Sequence, residues 1–272
     1  MNTLKTEKRM VILSLLVEGN SIRSIERITG VHRDTILKLM KSIGFKCQDI
    51  LNSYMQNLNC KEIECDEIWT YVAKKQKRLT PEEENTEKGD QYVFVALDPR
   101  TKLIPVFTIG KRSGFTTMIF MQELKRRITN RFQLTTDRFG GYFDVVDRVF
   151  GADIDYAQLQ KIYAGNGDGH REGYTPSDIR GIEIIELLGK PKRQNICTSY
   201  VERQNLTIRM QMRRFTRLTN AFSKKLENLK LALALHFFYY NFMRIHQTLR
   251  ITPAMECRIT DHIWKWEEIL NN

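Results

Sequence analysis

Apolar residues recur at helical spacing near the start of the chain. Residues 5–18 place Met10, Leu13 and Val17 on one face, and Gly19-Asn20 ends the run. Ser21 can cap a second helix over 22–28 that turns Ile22, Ile25 and Ile28 inward. The turn Thr29-Gly30-Val31 leads to a third helix over 32–43, with Ile36, Leu39, Met40 and Ile43 apolar and Gly44 as its stop. Three short helices with a glycine turn before the last predict a helix-turn-helix. Its third helix would enter a major groove and present His32, Arg33, Asp34, Thr35 and Lys38 to bases and phosphates. The other reading is an ordinary helical bundle packed on the main domain. Residues 46–60 read as a connecting helix or linker.

Beyond residue 60 the apolar pattern shortens to strands. Residues 63–72 form a strand with acids at its centre, and a loop rich in Lys and Glu follows over 74–90. Residues 91–97 and 103–109 make a hairpin about the turn Asp98-Pro99-Arg100-Thr101. An amphipathic helix over 116–128 precedes a fourth strand, 132–136, which ends at Asp137. Residues 140–150 read as helix, 154–162 as a fifth strand or extended segment, 199–215 as a basic helix and 223–246 as a long apolar one. Trp264 and Trp266 pack a C-terminal helix. Three antiparallel strands followed by strands alternating with helices predict a mixed α/β sheet in which strands one and four can lie side by side.

Composition narrows the classes. With 42% hydrophobic and 28% charged residues over 272 positions, the chain can bury a sizeable core and is not a disordered polyelectrolyte. Five cysteines without Cys-x-x-Cys speak against a disulfide framework or zinc ribbon and fit a reducing, cytoplasmic setting. The longest apolar stretch, 231–243, is too short for a membrane span and contains His236 and Asn241. Lys5, Lys8 and Arg9 before the apolar run 10–17 imitate a signal peptide, but Glu18 and Gly19 follow without a small-residue cleavage site, so an amphipathic helix is the better reading.

The formal net charge of +11 is concentrated in two places. Between residues 190 and 230 stand eleven Lys and Arg against Glu202 and Glu227, and residues 1–46 carry nine basic and four acidic residues. A solvated helix face is the ordinary fate of a charge run. Here Arg209, Arg213, Arg214 and Arg217 fall within nine residues, which points to a polyanion, nucleic acid.

Candidate chemistry follows from the strand order. Asp66 in strand one and Asp137 at the end of strand four would be neighbours, and two adjacent carboxylates ionise together only with a cation between them. Hard oxygen ligands favour Mg²⁺ or Mn²⁺. Phosphodiester chemistry uses two such ions about 3.5–4 Å apart to stabilise attacking and leaving oxygens. Glu202, early in the basic helix, is the choice for a third carboxylate; Arg209, seven residues on, shares its face. Taken singly, each Asp is more readily a turn or edge acid than a ligand. Glu67 points to the opposite face of its strand and is the worse candidate. Asp98 reads as a turn residue, Asp144 and Asp147 as surface helix acids, and His236 as a satisfied core histidine. His246, Asn241 and Arg244 form a polar stripe that touches DNA or braces the site.

These residues carry a resemblance. Asp66-Glu67-Ile68-Trp69-Thr70-Tyr71-Val72, Thr136-Asp137-Arg138-Phe139-Gly140-Gly141-Tyr142 and, most specifically, Thr198-Ser199-Tyr200-Val201-Glu202-Arg203-Gln204-Asn205-Leu206-Thr207-Ile208-Arg209 are similar to segments of the type-one family of bacterial insertion-sequence transposases. Echoes continue through Arg213-Arg214-Phe215-Thr216-Arg217, Tyr240-Asn241-Phe242-Met243-Arg244-Ile245-His246 and Thr252-Pro253-Ala254-Met255, so the resemblance covers about residues 60–260. It implies an RNase H-like domain whose catalytic and metal-binding triad is Asp66, Asp137 and Glu202. Arg209 matches the basic residue that follows the glutamate in similar enzymes. It further implies two Mg²⁺ or Mn²⁺ ions, cleavage at element ends, transfer of the 3′ end to target DNA, and a homo-oligomer, a dimer, pairing two DNA ends. Arg33, Lys38, Arg203, Arg209, Arg213, Arg214 and Arg217 are the expected DNA contacts.

The expected domains are a helix-turn-helix over 1–46, a linker over 47–60, the catalytic domain over 61–250 with an insertion at 164–195, and a helical tail over 251–272. Two departures stand out. The cysteines cannot build the zinc finger that often precedes the helix-turn-helix in related transposases. Asp137 and Glu202 are also 65 residues apart, longer than in many such enzymes. Glu172, 35 residues after Asp137, sits in the glycine-rich stretch Ala164-Gly165-Asn166-Gly167-Asp168-Gly169-His170-Arg171-Glu172-Gly173 and reads with His170 as loop. Rival functions are a helix-turn-helix regulator or domesticated inactive transposase that only holds DNA, and a nuclease of the same fold that cuts without joining.

Overall fold

The computed structural model describes residues 4–84, 86–163, 179–217 and 219–271. The first three helices are α1 (Thr6–Val17), α2 (Ile22–Thr29) and α3 (Arg33–Tyr54). Ser21 caps α2 as its sequence position predicts, its Oγ accepting the Ser24 N–H at 3.0 Å, and Gly30 ends it at φ +67°. Ile25 is buried, but Ile28, expected inward, is 60% exposed.

The third helix does not stop at Gly44. It runs on to Tyr54, so of the two readings of 46–60 the helix holds for the first part, continuous with α3. The reason is tertiary. Gly44 faces α7 (Leu226–Phe238), where a Cβ would come within 2.8 Å of the Leu231 Cβ and carbonyl oxygen. The glycine allows close approach of two helices and does not serve as a cap. Ile12, Ile25, Ile36 and Cys47 from the first three helices therefore join one hydrophobic cluster with Leu233 and Phe237 of α7 and with the sheet.

The strands are β1 (Glu62–Val72), β2 (Gly89–Leu97), β3 (Val106–Gly110), β4 (Phe132–Thr136), β5 (Ile154–Tyr163) and β6 (Ile179–Leu188). They form one sheet in the order β3-β2-β1-β4-β5-β6. The first three are antiparallel, β4 and β5 run parallel to β1, and β6 closes the edge antiparallel to β5. This is the expected RNase H-like mixed sheet with flanking helices. Strand β6, which periodicity does not mark, occupies part of the region expected as an insertion, 164–195. Glu172 and His170 lie outside the described residues.

Helices α4 (Gly114–Arg127) and α5 (Phe143–Phe150) pack together on one face, where Phe120 and Tyr142 meet Phe94 of β2. Helix α6 (Ser199–Gln211) packs against β1 and β2. After α7 comes a π-helical turn over Tyr239–Met243, then α8 (Pro253–Glu256) and α9 (Trp266–Asn271). The C-terminal segment folds back on the first helices. Trp264 and Trp266 are buried as expected, the Trp266 indole donates to Ser14 Oγ at 3.1 Å, and Lys46 donates to the Ile269 carbonyl at 3.1 Å. Among the described residues, no helix is long and apolar enough to cross a membrane.

Candidate active site

Strands β1 and β4 pair from Glu62–Gln133 to Cys65–Thr136 and then part. Asp66 and Asp137 are the next residues on each strand, so the register itself sets the two carboxyls at the mouth of the gap. Parallel strands that diverge at their carboxyl ends leave a crevice there. A cavity of about 620 Å³ opens at this point, lined by Asp66, Arg112, Asp137, Phe139, Lys161 and Glu202 among others.

Each acid is held differently. Asp66 Oδ1 accepts the N–H of Glu67 at 2.8 Å, and Oδ2 accepts the Asn205 side-chain amide from α6 at 2.8 Å. Burial first, then repulsion from Asp137 and Glu202, pushes its pKa up to about 6 against these two hydrogen bonds. Asp137 Oδ1 accepts the Phe139 N–H at 3.0 Å, and Oδ2 receives the Arg112 guanidinium at 3.4 Å. Glu202 is reached from β5: Lys161 Nζ donates to both carboxylate oxygens, 2.6 Å from Oε1, and the Thr198 hydroxyl adds a 2.8 Å bond.

Asp66 and Asp137 are therefore brought together as the strand order predicts. Glu202 lines the same cavity, but the tight cluster is a different trio. Oxygens of Asp66, Glu67 and Asp137 all lie within 4.8 Å of one another. Glu67, expected on the wrong face, belongs to the acid group. Its side chain leaves the opposite face of β1 and stays enclosed beside the cavity, yet past the end of the β1–β4 pairing one of its oxygens comes within reach of Asp66 and Asp137. There the Tyr142 hydroxyl donates to Oε1 and Arg112 Nε to Oε2 at 3.1 Å. Burial, then Asp137, raises its pKa to about 7. Arg112 also lies 4.2 Å from the centre of the Phe139 ring. Sequence periodicity had no means of finding Arg112, because it sits in the junction before α4 and touches β1 and β4 only through the fold. Lys161 did leave a signal, the lone cation of β5.

The carboxylates of Asp66, Glu67 and Asp137 are hard oxygen donors, a set that suits a divalent cation. Asp66, Asp137 and Glu202 would hold it, with Glu67 beside them.

The basic residues divide. Arg33 and Lys38 are exposed on the first turns of α3, and Arg203, Arg213 and Arg217 are exposed on or after α6. Arg209 is half-buried; burial, then Arg217, lowers its pKa, while Asp66 acts the other way. Arg214 is not on a free surface. Its guanidinium donates to Ser223 Oγ at 2.7 Å and to Met40 Sδ at 3.3 Å, and burial pulls its pKa down to about 10. The 3₁₀ turn Arg213–Phe215 that follows α6 swings this side chain inward against α3, which a continuous helix over 199–215 would not do. His236 is buried, neither ring nitrogen has a hydrogen-bond partner among the described residues, and burial keeps it neutral, near pKa 3. Asn241 braces the core by exchanging 3.0 Å bonds with the backbone of Ile104.

No family model matches the chain, and no curated protein matches it. Among solved structures it is similar to the Mos1 strand transfer complex, at 11% identity and a TM-score of 0.26 over 57% of this chain and 59% of that one. It is also similar to a piggyBac transposase synaptic complex with hairpin DNA, at 11% identity and a TM-score of 0.44 over 100% of this chain and 72% of that one. The chain thus spans about 59% of the length of the Mos1 chain.

Proposed function

We propose that this chain is a DNA transposase of the insertion-sequence type, cutting phosphodiesters at element ends and joining the freed 3′ ends to target DNA. The observation that carries the reading is the convergence of Asp66, Asp137 and Glu202 on one cavity beside an arginine-bearing helix. Divalent ions bound there would supply positive charge at the scissile phosphate and favour the deprotonated form of the attacking oxygen. The residues of the chain do the rest. Asp66 and Asp137 are fixed by strand register, and Glu202 is presented by α6. Arg203, Arg209, Arg213 and Arg217 hold the DNA backbone through charge-assisted bonds to phosphate. Attack is in line: water breaks the bond to release a 3′ hydroxyl, and that hydroxyl then attacks a target phosphate, expelling the adjoining 3′ oxygen. No covalent protein intermediate is needed.

The turn at Gly30 and the exposed start of α3, with Arg33 and Lys38, support reading of the element end in a major groove. Pairing two ends calls for a dimer, and the free thiols suit a cytoplasmic enzyme. The test is a nicking and strand-transfer assay on DNA carrying the inverted repeats that flank the gene, with Mg²⁺ or Mn²⁺. Cleavage and joining that vanish in Asp137→Asn support the reading. Cleavage without joining makes the protein a nuclease, binding without cleavage makes it a regulator, and full cleavage by Asp137→Asn removes the site assignment.

A further inference from the structure

The first turn of a helix leaves backbone N–H groups without partners, and a side chain at the N-cap normally takes one of them. In α6 that does not happen. Thr198, at the N-cap, makes no capping bond, and its hydroxyl is directed to Glu202 Oε1 at 2.8 Å. The N–H groups of Tyr200 and Val201 go instead to a single atom of the sheet, Glu64 Oε2, at 2.9 and 3.0 Å. Glu64 is only 2% exposed, so these bonds are not in competition with water. Taking a carboxylate out of water is costly, and a threonine or serine cap within the helix would have avoided that cost.

The placement has a consequence for Glu202. Glu64 stands two residues before Asp66 on β1, on the same face of the strand. Val201, which it holds, directly precedes Glu202. Three residues after Glu202, Asn205 donates to Asp66 Oδ2 at 2.8 Å. The turn of α6 that bears Glu202 is thus tied to β1 before and after it, and both ties lie on the strand that carries Asp66. Lys102 stands over the same turn, its ammonium 3.6 Å from the centre of the Tyr200 ring.

We propose that Glu64 is a positioning residue: by capping α6 from the strand, it sets the distance between Glu202 and Asp66 and so assembles the part of the metal site that needs Glu202. This rests on the assignment of Asp66, Asp137 and Glu202 as metal ligands. A glutamine can reproduce the geometry, since both N–H groups meet one oxygen and an amide oxygen can stand there. An aspartate, one methylene shorter, cannot reach.

The experiment uses the full chain and two readouts, hydrogen exchange at the Tyr200 and Val201 amides without metal and Mn²⁺ titration followed by electron paramagnetic resonance. Glu64→Ala is expected to lose protection at both amides and to weaken Mn²⁺ binding by about 10- to 100-fold, the usual cost of removing a group that orients a ligand. It is expected to add nothing in a Glu202→Gln background. Glu64→Gln is expected to keep both protection and affinity. If Glu64→Ala does not fold, Glu64→Asp takes its place with the same expected losses. The proposal is overturned by wild-type protection or affinity in the truncated variant. It is equally overturned by an undiminished effect in the Glu202→Gln background, or by a Glu64→Gln protein as impaired as the truncation. Mn²⁺ binding that ignores Asp66→Asn and Asp137→Asn would instead remove the site assignment, while the exchange result still reports on the cap.

Discussion

Lys161 on β5 and Glu202 on α6 are joined by an ion pair in which the ammonium reaches both carboxylate oxygens. Lys161 lines the same cavity as Asp66 and Asp137, so a divalent ion held there by Glu202 would compete with its ammonium for the carboxylate. An exchange of this kind costs what the pair is worth, about 1 kcal/mol for a partly exposed pair. Lys161→Met is therefore expected to raise Mn²⁺ affinity by roughly fivefold, measured by calorimetric titration. Unchanged or weaker binding would show that Lys161 does not compete for Glu202.

Asp137→Asn removes one charge from the acid cluster and leaves its shape. Cleavage of end-containing DNA is expected to fall by at least about three orders of magnitude, in line with the loss of charge stabilisation at a phosphoryl-transfer site. DNA affinity in a gel-shift assay stays within a few-fold, since the arginines lie elsewhere.

The exposed and the buried arginines are separable by salt. Arg213→Ala and Arg217→Ala are each expected to reduce the slope of log affinity against log salt by about one. Arg214→Met is expected to leave the slope unchanged, because its guanidinium is spent on Ser223 and Met40. A reduced slope for Arg214→Met would place that side chain on phosphate after all.

Three acids of β1 titrate high: Asp66 near 6, Glu64 and Glu67 near 7, chiefly through burial. In the unfolded chain they titrate near about 4. Between those values the folded protein binds more protons than the unfolded one, so this contribution to stability is present below about pH 4 and is lost as pH rises through 6 to 7. In EDTA, the melting temperature is expected to fall across that window, and Glu67→Gln to flatten the fall. Mn²⁺ is expected to restore stability in its upper half, where ionised acids can hold the ion. A melting temperature that rises steadily from pH 5 to 7 in EDTA would contradict the assignment.

Gly44→Ala tests the contact between α3 and α7 at which the helix runs past its expected stop. The new methyl meets Leu231 at 2.8 Å, backbone included, and overpacking of this kind costs about 1–3 kcal/mol. Urea denaturation should show that loss; wild-type stability would mean that α3 and α7 can separate without penalty.

Much of the fold was legible because its signals are local. Periodicity marked α1, α2, α4 and the first five strands, Ser21 announced its cap, and the order of elements placed β1 beside β4, hence Asp66 beside Asp137. Charge density marked the basic segment around α6. Other features are not written in any short window. Whether Gly44 ends a helix or lets two helices touch depends on Leu231, far along the chain. Whether Arg214 meets DNA or Met40 depends on how the turn after α6 lands on α3. Glu67 joins the acids because β4 stops pairing after Thr136, and Glu64 caps a helix more than a hundred residues away. The sequence alone determined which residues are acidic, basic or apolar and how often they repeat. Only tertiary packing, by burying some of those charges and parting two strands, decided which of them share one cavity.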